Sequence, residues 1–323
     1  MNPWFAFLEQ QPLATSPKEG HHILTPLTHT GILRVAGRDA LDFLQGQTTC
    51  DVRKITEQNS ALGAFCNPEG RVIANFRILM HDGDYLLLLA ADLLDIVLRR
   101  LKMFVLRSDV KLMAEEFPLF GVTVFAHGQL DRIGKPPQTV DAISTMANLT
   151  WIRMPPPGLR WLVLGPYEAA RRFWLFLVEE HQAICHSVEQ WQLQEIRSGV
   201  PWVTQVTSEV FLPQMLNLDA LGAISFDKGC YTGQEIIART HYLGQVKRRT
   251  YRVRLDSKRH IEPGEKLLCG DETVGQVVNT AGTPEGQEML MVLRCDRAQN
   301  PAIFPVAAPG AYLQWLDLAY TLP

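Results

Sequence analysis

The stretch Phe226-Asp-Lys-Gly-Cys-Tyr-Thr-Gly-Gln-Glu-Ile-Ile-Ala-Arg239 sets the frame for everything around it. Gly229 and Gly233 bracket Cys230, and glycine admits backbone conformations and close approaches that other residues cannot. Lys228 stands two residues before the thiol, and Arg239 and His241 follow it. Positive charge beside a thiol lowers its pKa and favours the reactive thiolate. A helix begun at Thr232 or Gly233 and running from Gln234 to Arg239 would place Cys230 just before a helix N-terminus, a second source of thiolate stabilisation. The opposing expectation, a small buried hydrophobe, is the ordinary one for a cysteine in a globular protein. Cys50, Cys66, Cys185, Cys269 and Cys295 lack such surroundings and take that ordinary reading.

Around this stretch lies a chain of 323 residues, long enough for two or three packed units. Hydrophobic residues make up 46% and charged residues 20%, as in a soluble globular protein. The net charge of -3 argues against a surface coated in positive charge for non-specific nucleic-acid binding, but not against a local basic patch. The six cysteines show no C-x-x-C pair and no zinc-finger spacing, so no metal site is expected and reduced thiols fit best. The start of the chain has no signal-peptide pattern, and Tyr85 to Leu94 falls short of the ~20 apolar residues of a membrane span. A soluble, cytoplasmic protein is the expectation.

Working outward, residues 1–30 carry Pro3, Pro12, Pro17 and Pro26 and read as a loosely structured leader. Ile32–Val35 is a strand, and Asp39 caps a helix that ends at Gly46. Ser60–Cys66, Val72–Leu79 and Tyr85–Ala90 form a three-strand meander turned at Asn67-Pro-Glu-Gly70 and at Asp82-Gly83. Asp92 caps a helix to about Val105. Strands follow at Val110–Met113 and Leu119–Phe125, then a mostly looped stretch from Gly128 to Gly158. Trp161–Leu164 is a strand, and Tyr167–His181 and Val188–Arg197 are helices. The succession points to α+β layers in two pseudo-repeated subdomains, about 31–115 and 116–248. From residue 249 to 323, short alternating strands between glycine and proline turns predict a β-barrel or sandwich.

The run Lys228-Gly-Cys-Tyr-Thr-Gly-Gln-Glu235 resembles, over eight unbroken residues, the K-G-C-Y-x-G-Q-E signature of the YgfZ family. The likeness extends through Phe211-Leu-Pro213, Asn217-Leu-Asp219, Ile236–Arg239 and Gly244–Arg249. It reappears early, in Phe43-Leu-Gln-Gly-Gln-Thr48 with Asp51-Val52 and in Asn67-x-x-Gly70-Arg71, and so covers about residues 30–310. The resemblance implies a T-protein-like folate-binding fold, with ferredoxin-like α+β layers around a central opening and a C-terminal β-barrel. Residues 31–248 would then be the folate-binding region and residues 249–323 the barrel.

It also implies tetrahydrofolate as the cofactor and an accessory role in tRNA modification and in the assembly or repair of iron–sulfur enzymes, tRNA-thiolating enzymes among them. Cys230 is the candidate functional thiol, set in a motif of Lys228, Gly229, Tyr231, Gly233, Gln234 and Glu235. A pterin wants apolar or aromatic walls with a few placed polar groups, and a glutamate tail wants cations. Arg71, Arg77, Arg197, Trp202, Lys228 and Arg239 are the candidate folate contacts.

Two departures from the family pattern stand out. In Leu193–Pro201, Arg197 falls where the pattern has a pterin-facing Glu, and Glu195 falls where it has an Arg. Gly70–Arg77 lacks the carboxylate that aminomethyl transfer needs, which argues against a folate-dependent one-carbon transferase. A third expectation, direct tRNA contact, rests on Lys247-Arg-Arg249 with Tyr251, Arg252 and Arg254, against a solvated strand face. Clusters are typically held by four cysteines, so Cys230 offers an iron–sulfur cluster one ligand at most.

Overall fold

The structure, a computed structural model, describes residues 2–13, 22–124, 134–256 and 259–323. Two described pieces of the segment expected to be a leader belong to the fold. Helix α1 (Pro3–Leu8) buries Trp4 and Phe7 against Phe120 and Trp174, with Trp4 edge-on to Trp174 at 5.5 Å. Strand β1 (Ile23–Pro26) lies inside a sheet. Prolines at the ends of short elements disguised both.

The first sheet comprises β2 (Thr30–Ala36), β3 (Ala61–Cys66), β4 (Val72–His81), β5 (Asp84–Ala90) and β6 (Lys111–Glu115), in the order β3-β4-β5-β2-β6. The two predicted turns hold its meander. Gly70 has φ +73° and donates to the Asn67 carbonyl at 2.9 Å, and the Asn67 side chain accepts from Arg71 N at 2.9 Å. Helices α2 (Ala40–Gln47) and α3 (Leu94–Val105) connect its strands. Asp39 stands at the N-cap of α2 as expected, but its side chain does not cap it, and Leu93 rather than Asp92 is the N-cap of α3. The Asp39 carboxylate accepts from Asp109 N at 2.8 Å, Asp92 accepts from Gln205 N at 2.9 Å, and Gly46 lies within α2.

The second sheet repeats the plan. It holds β7 (Leu119–Val124), β8 (Ile143–Met146), β9 (Leu149–Arg153), β10 (Leu159–Leu164) and, after helix α4 (Tyr167–His181), β11 (Ile184–Cys185). Its order is β11-β1-β7-β10-β9-β8, which is the first sheet's order with β1 inserted beside β7. Strand β1 runs antiparallel to β7 and parallel to β11. The stretch expected to be loop thus contains the β8–β9 hairpin, turned by Ala147 and Asn148 at positive φ; residues 128–133 of it lie outside the described residues.

Helix α5 (Val188–Arg197) leads to an irregular segment and then to α6 (Gln234–Tyr242). The chain ends in an antiparallel sheet of β12 (Arg248–Leu255), β13 (Lys266–Cys269), β14 (Glu272–Thr283), β15 (Gly286–Arg294), β16 (Ile303–Pro305) and β17 (Leu313–Leu316), ordered β16-β13-β14-β15-β12-β17. This sheet curls into a half-barrel. Glu288 on β15 ties it to the α+β layers, accepting from Arg197 of α5 at 2.7 Å and from Arg252 of β12 at 2.7 Å. Burial works to raise the Glu288 pKa, but the two guanidinium groups hold it below the usual carboxylate range. Among the described residues no helix is long and apolar enough to cross a membrane.

Candidate functional site

The two motif segments that lie far apart in sequence meet. Lys228 is buried, 9% exposed, and its Nζ donates to the carbonyls of Thr48 at 2.8 Å and Cys50 at 2.6 Å, just after α2. The same ammonium lies 5.2 Å from the centre of the Tyr231 ring. Thr49 completes the seam, donating to the Ala223 carbonyl at 2.7 Å and accepting from Ser225 N at 2.8 Å. Burial pulls the Lys228 pKa down from 10.5 to about 8, against the pull of Cys50 and Asp51. Burial pushes the Tyr231 hydroxyl up.

On its other side the motif rests on the first hairpin. Gly233 has φ +81° and precedes α6, and a Cβ there would meet the Asn67 carbonyl oxygen at 2.5 Å and Gly70 Cα at 2.9 Å. Its glycine is therefore required twice over, by conformation and by space. Gly229 needs neither, since a Cβ there would meet nothing within 4 Å. Between these two anchors Cys230 is exposed, on a loop four residues before α6 begins. The lysine expected to activate the thiol is committed to main-chain carbonyls.

A second place is distinct from this loop. A cavity of ≈ 330 Å³ opens between the first sheet, α5 with the segment after it, and the C-terminal half-barrel, with apolar walls that include Ile196, Val200, Trp202 and Pro263. Its polar groups include His29, Asp92, Gln192, Glu195, Asn279 and Thr280. Glu195 is 4% exposed, its Oε2 accepts from Trp202 Nε1 at 2.6 Å, and its Oε1 has no hydrogen bond. The nearest cation to that oxygen is Arg160, 3.5 Å away and itself fully buried over the Trp191 ring. Burial lowers the Arg160 pKa to about 10, with Glu195 working to raise it. Burial also lowers the His29 pKa to about 4, and its Nδ1 has no partner, so the imidazole is neutral at physiological pH. Among the described residues no Lys or Arg lines this cavity.

Of the six expected folate contacts, only Trp202 lines the cavity. Arg71 donates to the Val210 carbonyl, and Arg77 is buried between Ser60 at 2.8 Å and Asp141. Arg197 binds Glu288, Lys228 binds Thr48 and Cys50, and Arg239 is exposed on the last turn of α6. The Glu195/Arg197 departure resolves the same way. A helix turns 100° per residue, so two positions apart face opposite ways, and Glu195 takes the cavity face while Arg197 turns to the half-barrel. Sequence reasoning missed His29, Asp92, Gln192 and Asn279. One signal was available for α5: Gln192, Glu195 and Ile196 share one helix face at i, i+3 and i+4.

No family model matches the chain. It is 32% identical over 308 residues to the tRNA-modifying protein YgfZ of Klebsiella pneumoniae, covering 93% of each chain. To the tRNA-modifying protein YgfZ of Escherichia coli it is 30% identical over 307 residues, again covering 93% of each. Its fold matches the glycine cleavage system aminomethyltransferase T of Bartonella henselae with a TM-score of 0.69 at 12% identity, over 93% of this chain and 86% of that one. A β2-to-β6 plan repeated in β7-to-β11, a half-barrel behind it and identity at this level over nearly the whole length lead to one conclusion: the chain belongs to the family of tRNA-modifying proteins named YgfZ.

Proposed function

We propose that the chain is a folate-binding accessory protein of tRNA modification, with tetrahydrofolate in the cavity and Cys230 acting as a separate functional thiol. The observation that carries this reading is Glu195, a buried carboxylate with one oxygen unbonded, set beside Trp202 in an apolar-walled cavity. A buried acceptor that has only an ion pair at 3.5 Å and no hydrogen bond gains free energy when a ligand donates to it. A reduced pterin has the matching chemistry: a flat ring with adjacent N–H donors on one edge. Glu195 would take those donors, and Asn279 and Gln192 would serve the ring's remaining polar atoms. With no Lys or Arg on the cavity wall among the described residues, the anionic tail would leave toward solvent.

The folate-binding unit spans residues 31–248 in its two repeated halves, closed by residues 249–323. The exposed Cys230, held between the early motif and the first hairpin, suits exchange with an iron–sulfur enzyme that thiolates tRNA, in the cytoplasm. Aminomethyl transfer is the second reading. Strand β4 offers it only Asn75, locked to the Pro201 carbonyl and Val203 N, and Arg77. Asp92 at the cavity rim is the carboxylate that would revive it.

Calorimetric titration with tetrahydrofolate tests the main reading. The intact chain and Cys230→Ala should bind alike, and Glu195→Gln should bind roughly 10- to 100-fold more weakly, the worth of a hydrogen bond to a charged group. Thermal unfolding run alongside separates lost binding from lost folding. A folded Glu195→Gln that binds as well as the intact chain, or an intact chain that does not bind, would sink the proposal.

A further inference from the structure

We infer that the C-terminal end of α6 is a stacking platform for an unpaired RNA segment, with His241 and Tyr242 holding bases and Arg239, Lys247 and Arg248 holding phosphates. The inference deepens the tRNA side of the proposed function and does not depend on what fills the cavity. The His241 ring stacks on Phe226, with centroids 3.7 Å apart and planes 13° apart. Tyr242 meets both rings edge-on, at 4.7 Å and 6.1 Å. One face of the imidazole is thus backed by Phe226, while His241 is exposed and Tyr242 is 63% exposed. Aromatic rings already held in place lose little freedom when a base stacks on them, and every base offers a face. Below them lies an open recess of ≈ 500 Å³, lined by Phe226 and His241 together with Gln214, Gly244 and Val246, large enough for a nucleobase.

The charges around the platform are free for phosphate. Arg239, Lys247 and Arg248 are exposed, and among the described residues their side chains make no ion pair or hydrogen bond. This divides the basic run differently from the sequence expectation. Arg249 is buried against Asp219, and Arg252 is held by Glu288, so neither is available. The acidic groups close by include Asp227, which is exposed, Asp219, which Arg249 neutralises, and Asp296, which Arg294 holds at 2.6 Å; Glu235 lies at the opposite end of α6. Phe226 is four residues from Cys230, a span of at most ~14 Å of extended chain, so an RNA docked here passes near the exposed thiol.

The test is fluorescence anisotropy of the full chain with a labelled single-stranded RNA decamer of mixed sequence and with a duplex of equal length, from 50 to 200 mM salt. The single strand should bind more tightly than the duplex. The double variant H241A/Y242A should weaken it roughly 5- to 150-fold, the worth of one stacked base. K247A/R248A should flatten the salt dependence by about 1.4 in log–log slope, ~0.7 per phosphate contact on a single strand. Unchanged binding by the folded aromatic variant, preference for the duplex, or no binding at 50 mM salt overturns the inference. Tetrahydrofolate titration of the same variants should be unaffected, so a chain that binds RNA but not folate refutes the cavity reading alone.

Discussion

Replacing Lys228 by methionine keeps the length and the apolar stem but removes the donor that two buried carbonyls share. Those of Thr48 and Cys50 lie 2.8 and 2.6 Å from the ammonium, and their loss as hydrogen-bonded groups costs ~1–3 kcal/mol each. Burial already presses against the charged form, lowering its pKa to about 8, so methionine recovers part of that cost. The net expectation is about 2–4 kcal/mol of lost stability, a fall of roughly 3–6 °C in melting temperature for a chain of this size. The pH dependence carries a second signature. The folded pKa is depressed below the unfolded 10.5, so the folded state releases its proton first and stability rises with pH between about 8 and 10.5. Lys228→Met should lack that rise. Because Lys228 anchors one end of the loop that carries Cys230, the variant should also alkylate faster at Cys230 with iodoacetamide. Thermal unfolding across the pH series, paired with alkylation followed by mass spectrometry, reads all three effects. A variant that melts like the intact chain, keeps its alkaline rise and alkylates at the same rate would refute the clamp.

Gly233→Ala combines a positive φ with a Cβ 2.5 Å from the Asn67 carbonyl oxygen, so a loss of about 2–4 kcal/mol is expected in urea unfolding, while Gly229→Ala should cost well under half as much. Equal effects would show that the motif does not rest on the hairpin. His29 has its folded pKa lowered to about 4 from 6.5, so the unfolded state takes up the proton first and stability falls as pH drops through that window. His29→Asn should fall less over the same range, and parallel curves would count against a neutral, buried imidazole.

Where local chemistry decides, the sequence was legible. The Asn67–Gly70 turn, the three-strand meander and the helices Tyr167–His181 and Val188–Arg197 follow from turn residues and from apolar spacing within one element. The KGCYTGQE run likewise singled out Cys230 among six cysteines, while its exposure became visible only in the fold. Legibility stopped where a residue's partner lies far along the chain. Pro26 marks an edge or a break in isolation, yet β1 pairs on both sides because β7 and β11 leave a gap between them. Six residues were chosen as folate contacts for their charge or ring; four of them are satisfied elsewhere, and Arg239 stands exposed away from the cavity.

The sequence by itself determined the family, the first-sheet meander, the longer helices and the motif around Cys230, because each is written in contiguous residues and their spacing. Tertiary structure alone decided which carboxylate faces the cavity, which cations stay free, and that Lys228 clamps a loop 178 to 180 residues away. The physical reason is that a buried charge takes its role from the partner that offsets its desolvation, and only the fold chooses that partner.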